Sequence, residues 1–239
     1  MPPAATPDPA VLAVARHAAG LVADGAKVGL GTGRAAAAFV TELGARVREG
    51  LHITAAATSE ATARQAVALG IPMVDLDEDV ILDLTVDGAD EVAPNLDLVK
   101  GWGGALVRER IVAAASRRQV ILVGPEKLVD RLGQRGRIPV EVIPLARGLV
   151  SRELRRLGLV PTVRLHEDHT PARTDNGNLT LDCAPAAPLA AAETRALEAA
   201  ILALAGVVDT GLFLGTAERV LVGHPDGHVD VRTRAGGTP

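Results

Sequence analysis

Val80-Ile81-Leu82-Asp83-Leu84-Thr85-Val86, followed by Asp87-Gly88-Ala89-Asp90-Glu91, is the stretch that says most about the fold. The first seven residues are apolar apart from Asp83 and Thr85, which is typical of a strand covered on both faces of a parallel sheet. Carboxylates follow directly, at the point where an open α/β sheet usually builds its site. The stretch therefore predicts a buried strand that ends in a candidate functional site.

Strands alternate with helices on both sides of this strand. Asp8-Pro9 is a capping side chain followed by proline, which predicts the start of a helix that ends at Asp24-Gly25. The further predicted segments are a strand at 27–30, a helix to 48, a strand at 52–57, a helix at 60–69, strands at 72–76 and 80–86, a helix at 105–116 and a strand at 119–124. This alternation predicts an α/β domain with a Rossmann-like, mostly parallel sheet.

The pattern changes near Gly133. A strand at 139–143, a helix face marked by Leu145, Leu149, Val150, Leu154 and Leu157, strands at 162–165 and 179–183, a helix at 189–204 and a strand at 207–214 follow. This β-α-β-β-α-β order predicts a smaller ferredoxin-like α+β domain. We expect it to span residues 133–214, with residues 1–132 and 215–239 forming the Rossmann-like domain. In the tail, residues 219–222 and 229–231 are predicted to form a hairpin that returns to the first domain. Residues 235–239 are expected to fray.

Composition excludes several classes of function. The 239 residues are 48% hydrophobic but only 1% aromatic, and 25 basic against 29 acidic residues give a net charge of -4 with no basic block. Nucleic acid is therefore not an expected partner. No apolar run is long enough for a membrane span and no signal peptide is evident, so we expect no membrane partner and a cytoplasmic protein. Cys183 stands alone without metal-ligand spacing and is expected to be a small buried core residue.

Gly29-Leu30-Gly31-Thr32-Gly33 follows a predicted strand and opens a predicted helix. Backbone N-H groups in such a turn can face an anion. The loop does not match the dinucleotide fingerprint, because no acidic residue ends the next strand, and it lacks the lysine of a nucleotide P-loop. From the motif alone, phosphate binding and a simple tight turn are equally supported.

The charged residues after the central strand allow two interpretations each. Asp87 and Asp90 are either an acid/base pair or ordinary turn and capping residues. Lys100-Gly101-Trp102-Gly103-Gly104 is either a ligand loop with a positive charge or a flexible loop with a solvated lysine. Glu109, between Arg108 and Arg110, is by spacing alone better explained as part of a surface charge run.

Several motifs taken together resemble the ribose-5-phosphate isomerase type A family, in the same order and at similar spacing over nearly the whole chain. They are residues 28–33, 86–91, 100–109, 126–129, 139–144 and 174–178. The resemblance implies interconversion of D-ribose 5-phosphate and D-ribulose 5-phosphate through an enediol, in the non-oxidative pentose phosphate pathway. It implies no cofactor and no metal.

The resemblance also implies the roles of individual residues. Glu109 is the expected general base, and Asp87 and Asp90 are expected to bind the sugar hydroxyls and assist ring opening. Lys100 and Lys127 are expected to supply positive charge at the substrate. The catalytic set is Glu109, Asp87, Asp90 and Lys100, and the substrate-binding set is Gly31, Thr32, Gly33, Arg34, Ala35, Asp87, Gly88, Ala89, Asp90, Lys100, Gly101, Trp102, Gly103 and Lys127.

Three positions depart from the family pattern. Arg34-Ala35 stands where the family usually has Ser-Thr, and Arg34 is expected to replace the missing hydroxyls with a charge-assisted contact to phosphate. Trp102 replaces a glycine and is expected to narrow the pocket or shield it from water. Gly124-Pro125-Glu126-Lys127 replaces Asp-Glu-Ser-Lys. We therefore keep two alternatives, an isomerase of another sugar phosphate and a non-catalytic sugar-phosphate sensor.

The expected partner is a small sugar phosphate. We also expect a homodimer or homotetramer, with the ferredoxin-like domain contributing to the assembly.

Overall fold

The computed structural model describes residues 8–234, which divide into two compact units. The first unit contains residues 8–88, 112–126 and 218–234, and the second contains residues 89–111 and 127–217. In chain order the elements are α1 (Pro9–Gly20), β1 (Lys27–Leu30), α2 (Arg34–Arg48), β2 (Thr54–Ala57), α3 (Glu60–Ala68), β3 (Leu84–Gly88), β4 (Glu91–Val92), β5 (Leu98–Val99), α4 (Leu106–Ala114), β6 (Gln119–Val123), β7 (Ile138–Val142), α5 (Arg147–Arg156), β8 (Leu159–Val163), β9 (Leu179–Pro185), α6 (Ala191–Leu202), β10 (Val207–Thr210), β11 (Leu212–Phe213), β12 (Arg219–Gly223) and β13 (Val229–Thr233).

The first unit is built on a six-stranded sheet in the order β13-β12-β6-β3-β1-β2. All neighbours in it run parallel except β12 and β13, which pair antiparallel as the predicted hairpin. The predicted mostly parallel α/β sheet is thus confirmed. Local signals define its helices, since Asp8 accepts a hydrogen bond from the Ala10 N-H at the start of α1 and Ser59 accepts one from the Thr62 N-H at the start of α3.

Small and branched aliphatic side chains fill the core of this unit. Leu30, Val86 and Leu122 of the central strands share one buried cluster with Phe39 and Leu43 of α2. Because the strands present apolar residues to both faces, the sheet is covered on both sides and β3 ends in a buried environment. This burial determines the setting of Asp87, the fourth residue of β3.

The second unit contains a four-stranded antiparallel sheet in the order β10-β7-β9-β8. With α5 after β7 and α6 after β9, this is the split βαβ arrangement that the sequence predicts for a ferredoxin-like domain. Its core joins Val140, Leu181 and Cys183 of the sheet to Leu154 of α5 and Ile201 of α6. Cys183 is the small buried core residue expected from the sequence.

A three-stranded sheet, β11-β5-β4, was not predicted. It belongs to the second unit, together with residues 127–132, whereas the sequence prediction placed residues 89–111 and 127–132 in the larger domain. The physical reason is a second apolar cluster in this unit, in which Val99 and Leu212 pack with Leu132 and Ile138.

Other elements also differ from prediction. The central strand, expected at 80–86, is Leu84–Gly88, so Asp87 lies within the strand and not after it. The expected strand at 72–76 is reduced to a single parallel bridge between Met73 and Ala55. The expected helix face over 145–157 is only partly buried: Val150 and Leu154 are buried, but Leu145 is 96% exposed. The predicted fraying of residues 235–239 falls outside the described residues. In residues 8–234 we find no helix with both the length and the hydropathy that crossing a membrane would need.

Candidate active site

The glycine loop after β1 is held by the carboxylate at the end of β3. Asp87 is fully buried, and its Oδ1 accepts hydrogen bonds from the N-H of Thr32 at 3.0 Å and of Gly88 at 2.7 Å. Gly31 donates its N-H to the Val86 carbonyl at 2.9 Å, and a Cβ on Gly31 would lie 2.5 Å from the Asp87 Cα. The loop therefore requires glycine at position 31 because the backbone of β3 passes too close for a side chain.

A cluster of hydroxyls surrounds Thr32 in the first unit. Thr32 Oγ1 lies 2.7 Å from Thr58 Oγ1 and 2.9 Å from Ser59 Oγ, and Thr62 Oγ1 donates to the Gly31 carbonyl at 3.0 Å. Thr58 and Ser59 follow β2, the neighbour of β1, so both turns lie at the carboxyl edge of one parallel sheet. Residues 58 and 59 lie between the predicted strand at 52–57 and the predicted helix at 60–69, and no motif in the sequence assigns them a role. The shared sheet edge was the signal that could have identified it.

Arg34 and Ala35 begin α2, after Gly33, which has a positive φ of 103°. The Arg34 guanidinium is 3.7 Å from the Asp8 carboxylate and its side chain is 73% exposed. Its one described ion pair is therefore with a residue at the start of α1. The predicted contact of Arg34 with phosphate stays a prediction.

Asp90 and the loop at 100–104 meet in the second unit. The Asp90 N-H donates to the Val99 carbonyl at 2.8 Å, and its carboxylate accepts from the Trp102 N-H at 2.9 Å. Burial raises the pKa of the Asp90 carboxyl, while the Trp102 N-H and the nearby charges of Lys100, Lys127 and Arg137 act in the opposite direction. Asp90 is thus a partly desolvated carboxylate in a positively charged surrounding.

Lys100 and Glu109 form a buried ion pair in the same unit. The Lys100 Nζ lies 3.4 Å from Glu109 Oε1, and the whole residues are only 1% and 5% exposed. Lys100 Nζ also lies 5.6 Å from the centroid of the Phe213 ring, and its backbone N-H donates to Gly211 at 2.9 Å. Glu109 is therefore not part of a surface charge run, which corrects the interpretation that spacing alone favoured.

The arginines on either side of Glu109 hold α4 in place. Arg108 donates to the side chain of Asn176 at 2.9 Å and to the Asp175 carbonyl at 2.8 Å. Arg110 pairs with the Asp209 carboxylate, and its guanidinium lies 4.2 Å from the centroid of the Phe213 ring. Both interactions lie within the second unit, so the helix turn that carries Glu109 is anchored on two sides.

Trp102 lies half-buried among positive charges. The centroid of its ring is 4.4 Å from the Arg137 guanidinium carbon, 5.1 Å from that of Arg135 and 5.6 Å from Lys127 Nζ. Its backbone carbonyl accepts a hydrogen bond from Arg164 at 3.1 Å. The arginines of this cluster were not predicted, because they come from a loop, 135–137, and a strand end, 164, that carry no motif of their own.

The structure thus distributes the predicted residues over two groups. Those in the first unit are Gly31, Thr32, Gly33, Arg34, Ala35, Asp87 and Gly88, and those in the second are Ala89, Asp90, Lys100, Gly101, Trp102, Gly103, Glu109 and Lys127. Within the second group, contacts link Asp90 to Trp102 and Lys100 to Glu109. In the part of the chain that the structure describes, no cluster of three His, Cys, Asp or Glu side chains is arranged to hold a metal ion.

Comparisons with known proteins agree on one family. The family model for ribose 5-phosphate isomerase A (phosphoriboisomerase A) matches residues 54–227. A ribose-5-phosphate isomerase A of Gloeobacter violaceus is 50% identical over 221 residues, which cover 92% of this chain and 94% of that protein.

Two solved structures are also similar over nearly their full length. Ribose 5-phosphate isomerase A of Methanocaldococcus jannaschii has a TM-score of 0.88 and 39% identity, covering 95% of this chain and 100% of that one. A D-ribose-5-phosphate isomerase in complex with phospho-erythronic acid has a TM-score of 0.90 and 33% identity, covering 96% and 100%.

Proposed function

The chain belongs to the ribose 5-phosphate isomerase A family and interconverts D-ribose 5-phosphate and D-ribulose 5-phosphate, and we propose that it does so through an enediol with Glu109 as the base. The observation that supports this role is the burial of Glu109 beside Lys100. The reaction is a step of the pentose phosphate pathway. The proposed route uses no metal.

Glu109 performs the proton transfer in this proposal. Its carboxylate takes the proton from C2 of the open-chain aldose, and the C2-H electrons form the C1-C2 double bond while the C1 oxygen gains charge and is protonated. The same carboxyl group then delivers the proton to C1, and the C2 oxygen loses its proton to become the ketone. One carboxylate can serve both carbons when it is held close to them and partly desolvated. Arg108 and Arg110 provide that fixed position.

Lys100 stabilises the oxyanion that develops on C1 or C2. A cation in a site with little water stabilises developing charge far more than a cation in solvent. The Phe213 ring and the backbone bond to Gly211 restrict where the ammonium group can go. The ammonium group is then already in place, so it needs little reorganisation when the oxyanion forms.

Asp90 is proposed to bind a sugar hydroxyl, since it is a half-buried residue whose carboxylate accepts a hydrogen bond from the Trp102 N-H. Asp87 has a different proposed role. Its hydrogen bonds to Thr32 and Gly88 orient the glycine loop, whose backbone N-H groups and neighbouring hydroxyls suit a phosphate group. The sugar contact and the ring-opening role of Asp87 remain proposals from the family resemblance.

The phospho-erythronic acid complex of a relative supports the enediol route. An aldonic acid presents a planar carboxylate next to a hydroxyl-bearing chain and a phosphate, which resembles the planar oxygen-bearing end of an enediolate. We therefore expect phospho-erythronic acid to inhibit this enzyme competitively.

Hydrogen exchange in deuterated water tests the mechanism directly. Ribose 5-phosphate incubated with the enzyme should gain deuterium at C2, and ribulose 5-phosphate should gain it at C1, with unchanged rates after addition of a chelator. No deuterium at either carbon after many turnovers at equilibrium, or complete loss of activity with the chelator, would contradict the proposal. Comparing kcat/KM across a panel of phosphorylated aldoses measures the range of substrates. This range is of interest because Trp102, which replaces a glycine of the family pattern, is expected to narrow the pocket.

Assembly into a homodimer or homotetramer remains a proposal. The second unit supports it, because Leu145 is 96% exposed, with Leu149 at 42% and Val208 at 41%. Light scattering of the wild type and of Leu145→Glu tests it, and a monomeric wild type at micromolar concentration would exclude it.

The cytoplasmic location also stays a prediction, which cell fractionation would test.

A further inference from the structure

Two motifs of the sequence, residues 139–144 and 174–178, meet at one buried carboxylate in the second unit, and neither has a role in the reaction steps above. Glu141 lies in β7, an inner strand between β10 and β9, and is fully buried. Its Oε1 accepts three hydrogen bonds from residues 174–178, which we call the asparagine turn: from Thr174 Oγ1 at 3.0 Å, Asn176 Nδ2 at 3.1 Å and Asn178 Nδ2 at 2.9 Å. The asparagine turn is therefore attached to the middle of a sheet.

Asn176 extends this contact to α4. Its amide donates through Nδ2 to Glu141 and accepts through Oδ1 from Arg108 Nε at 2.9 Å. Arg108 also donates to the carbonyl of Asp175 in the same turn, at 2.8 Å. Because Arg108 directly precedes Glu109 in α4, two hydrogen bonds in series connect Glu141 to the helix turn that carries the proposed base.

The chemistry of these three groups determines how the amide is oriented. An ionised carboxylate only accepts hydrogen bonds and a guanidinium only donates them, whereas an amide does both. The Asn176 amide can therefore satisfy both neighbours only with its N-H2 group toward Glu141 and its oxygen toward Arg108. A glutamine at position 141 could also donate, so it would no longer impose this orientation.

Fold stability does not explain a carboxylate at position 141. Burying a carboxylate is costly when no cation pairs with it. The three donors to Oε1 are neutral, and among residues 8–234 we find no hydrogen-bond partner for Oε2. Glu141 also lies opposite Asp209 in the pairing of β7 with β10. Burial raises the pKa of Asp209 and the charge of Glu141 adds to this shift, whereas Arg110 opposes it. A role in function therefore explains Glu141 better.

We propose that Glu141 is a positioning residue for the isomerisation, which orients Asn176 and through it Arg108, and so fixes the helix turn that carries Glu109. The proposal rests on the function proposed above, since it concerns the same base. Glu141 acts only through other residues and needs no contact with the substrate. Displacing a reacting group by about 1 Å can lower a rate about a hundredfold, so the rate should be more sensitive than substrate binding.

This arrangement predicts a loss of kcat without a matching change in KM. Glu141→Gln and Asn176→Ala should each lower kcat about tenfold and leave KM within about twofold of the wild type, at temperatures well below Tm. The matched control is Asn178→Ala, because Asn178 makes the equivalent bond to Glu141 but is not the acceptor for Arg108 Nε. It should lose as much Tm as Asn176→Ala, while its kcat should fall no more than about twofold.

A double-mutant cycle tests whether Glu141 acts through Arg108. In the Arg108→Gln protein, Glu141→Gln should lower kcat by no more than about twofold, against about tenfold in the wild type. Equal falls in the two backgrounds, or equal kcat values for Asn176→Ala and Asn178→Ala, would overturn the proposal. Circular dichroism melts identify variants that fail to fold. Should Glu141→Gln fail to fold, Asn176→Ala replaces it in the cycle, since Asn176 is exposed.

The kinetics of Glu109→Gln separate this proposal from the proposed function. Loss of activity in Glu109→Gln together with equal falls in the cycle would overturn the role of Glu141 and leave the base assignment standing. Near-normal turnover of Glu109→Gln would overturn both, because the helix turn would then carry no base.

Discussion

Lys100 Nζ lies 3.4 Å from Glu109 Oε1, in a pair whose side chains are only 2% and 6% exposed. Taking two charged groups out of water is costly, so such a pair is weak evidence for a stabilising role. The pair lies near Asp90, the candidate sugar-binding aspartate. A role in catalysis therefore explains the burial of the pair better than a role in stability.

Replacing Glu109 with glutamine should abolish most of the activity. Glu109→Gln keeps the size and polarity of the side chain but removes the basic carboxylate, so kcat should fall at least about a hundredfold. Steady-state kinetics with ribose 5-phosphate measure this, and Glu167→Gln, at an exposed position, is the control. Near-normal turnover of a correctly folded Glu109→Gln protein would exclude Glu109 as the base.

Replacing Asp90 with asparagine should raise the stability of the protein and impair its activity. Burial raises the pKa of Asp90, so the folded chain holds a proton at pH values where the unfolded chain has lost it. The Asp90 contribution is therefore most favourable below the ordinary carboxyl pKa of about 4 and is lost as pH rises through the higher folded pKa. Asp90→Asn keeps an acceptor for the Trp102 N-H, so its Tm should exceed that of the wild type at pH 7 and approach it near pH 4. A lower Tm at pH 7 would contradict this.

The pairing of Arg110 with Asp209 should contribute strongly to stability. Removing one partner leaves the other charge buried, so Arg110→Ala should cost about 2–4 kcal/mol of unfolding free energy, measured by urea denaturation. Arg118→Ala removes a more exposed pair with Glu218 and should cost no more than about 1 kcal/mol. Equal losses in the two variants would show that Arg110 does not anchor α4. Adding Asp209→Asn should recover part of the loss, because burial also raises the pKa of Asp209.

A single methyl group at position 31 should disrupt the glycine loop. The Cβ of Gly31→Ala would lie 2.2 Å from Asp87 Oδ1 and 2.5 Å from its Cα, and a backbone atom cannot move aside cheaply. We expect a loss of about 2–3 kcal/mol or more and a large fall in kcat/KM. Gly148→Ala is the control, because nothing lies within 4 Å of its Cβ. Its Tm should be unchanged or slightly higher.

The thiol of Cys183 should be unreactive until the second unit opens. Cys183 is fully buried, and burial raises the pKa of its thiol to about 12, so very little thiolate exists at pH 8. A thiol reagent such as DTNB should label the native protein far more slowly than the urea-unfolded chain. Rapid labelling of the native protein at its one cysteine would show that the core around β9 is open on that timescale.

Structural elements that are determined by neighbouring residues can be predicted from the sequence, whereas elements that depend on distant residues cannot. The bounds of β1 and of α2 follow from neighbouring residues and were predicted almost to the residue. The two-residue strands β4, β5 and β11 are too short to show any periodicity, so their sheet was missed. The spacing of charges around Glu109 wrongly predicted a surface charge run, because the hydrogen-bond partner of Arg110 lies 99 residues further along the chain. Long-range pairing of this kind leaves no local pattern to detect.

The placement of the three aromatic rings has a practical consequence. The chain has two phenylalanines, one tryptophan and no tyrosine. Phe39 lies in the core of the first unit, whereas Phe213 and Trp102 both lie against cations of the candidate site. The tryptophan bands of the near-ultraviolet circular dichroism should therefore follow the surroundings of the candidate site, whereas the phenylalanine bands also report on the core of the first unit through Phe39.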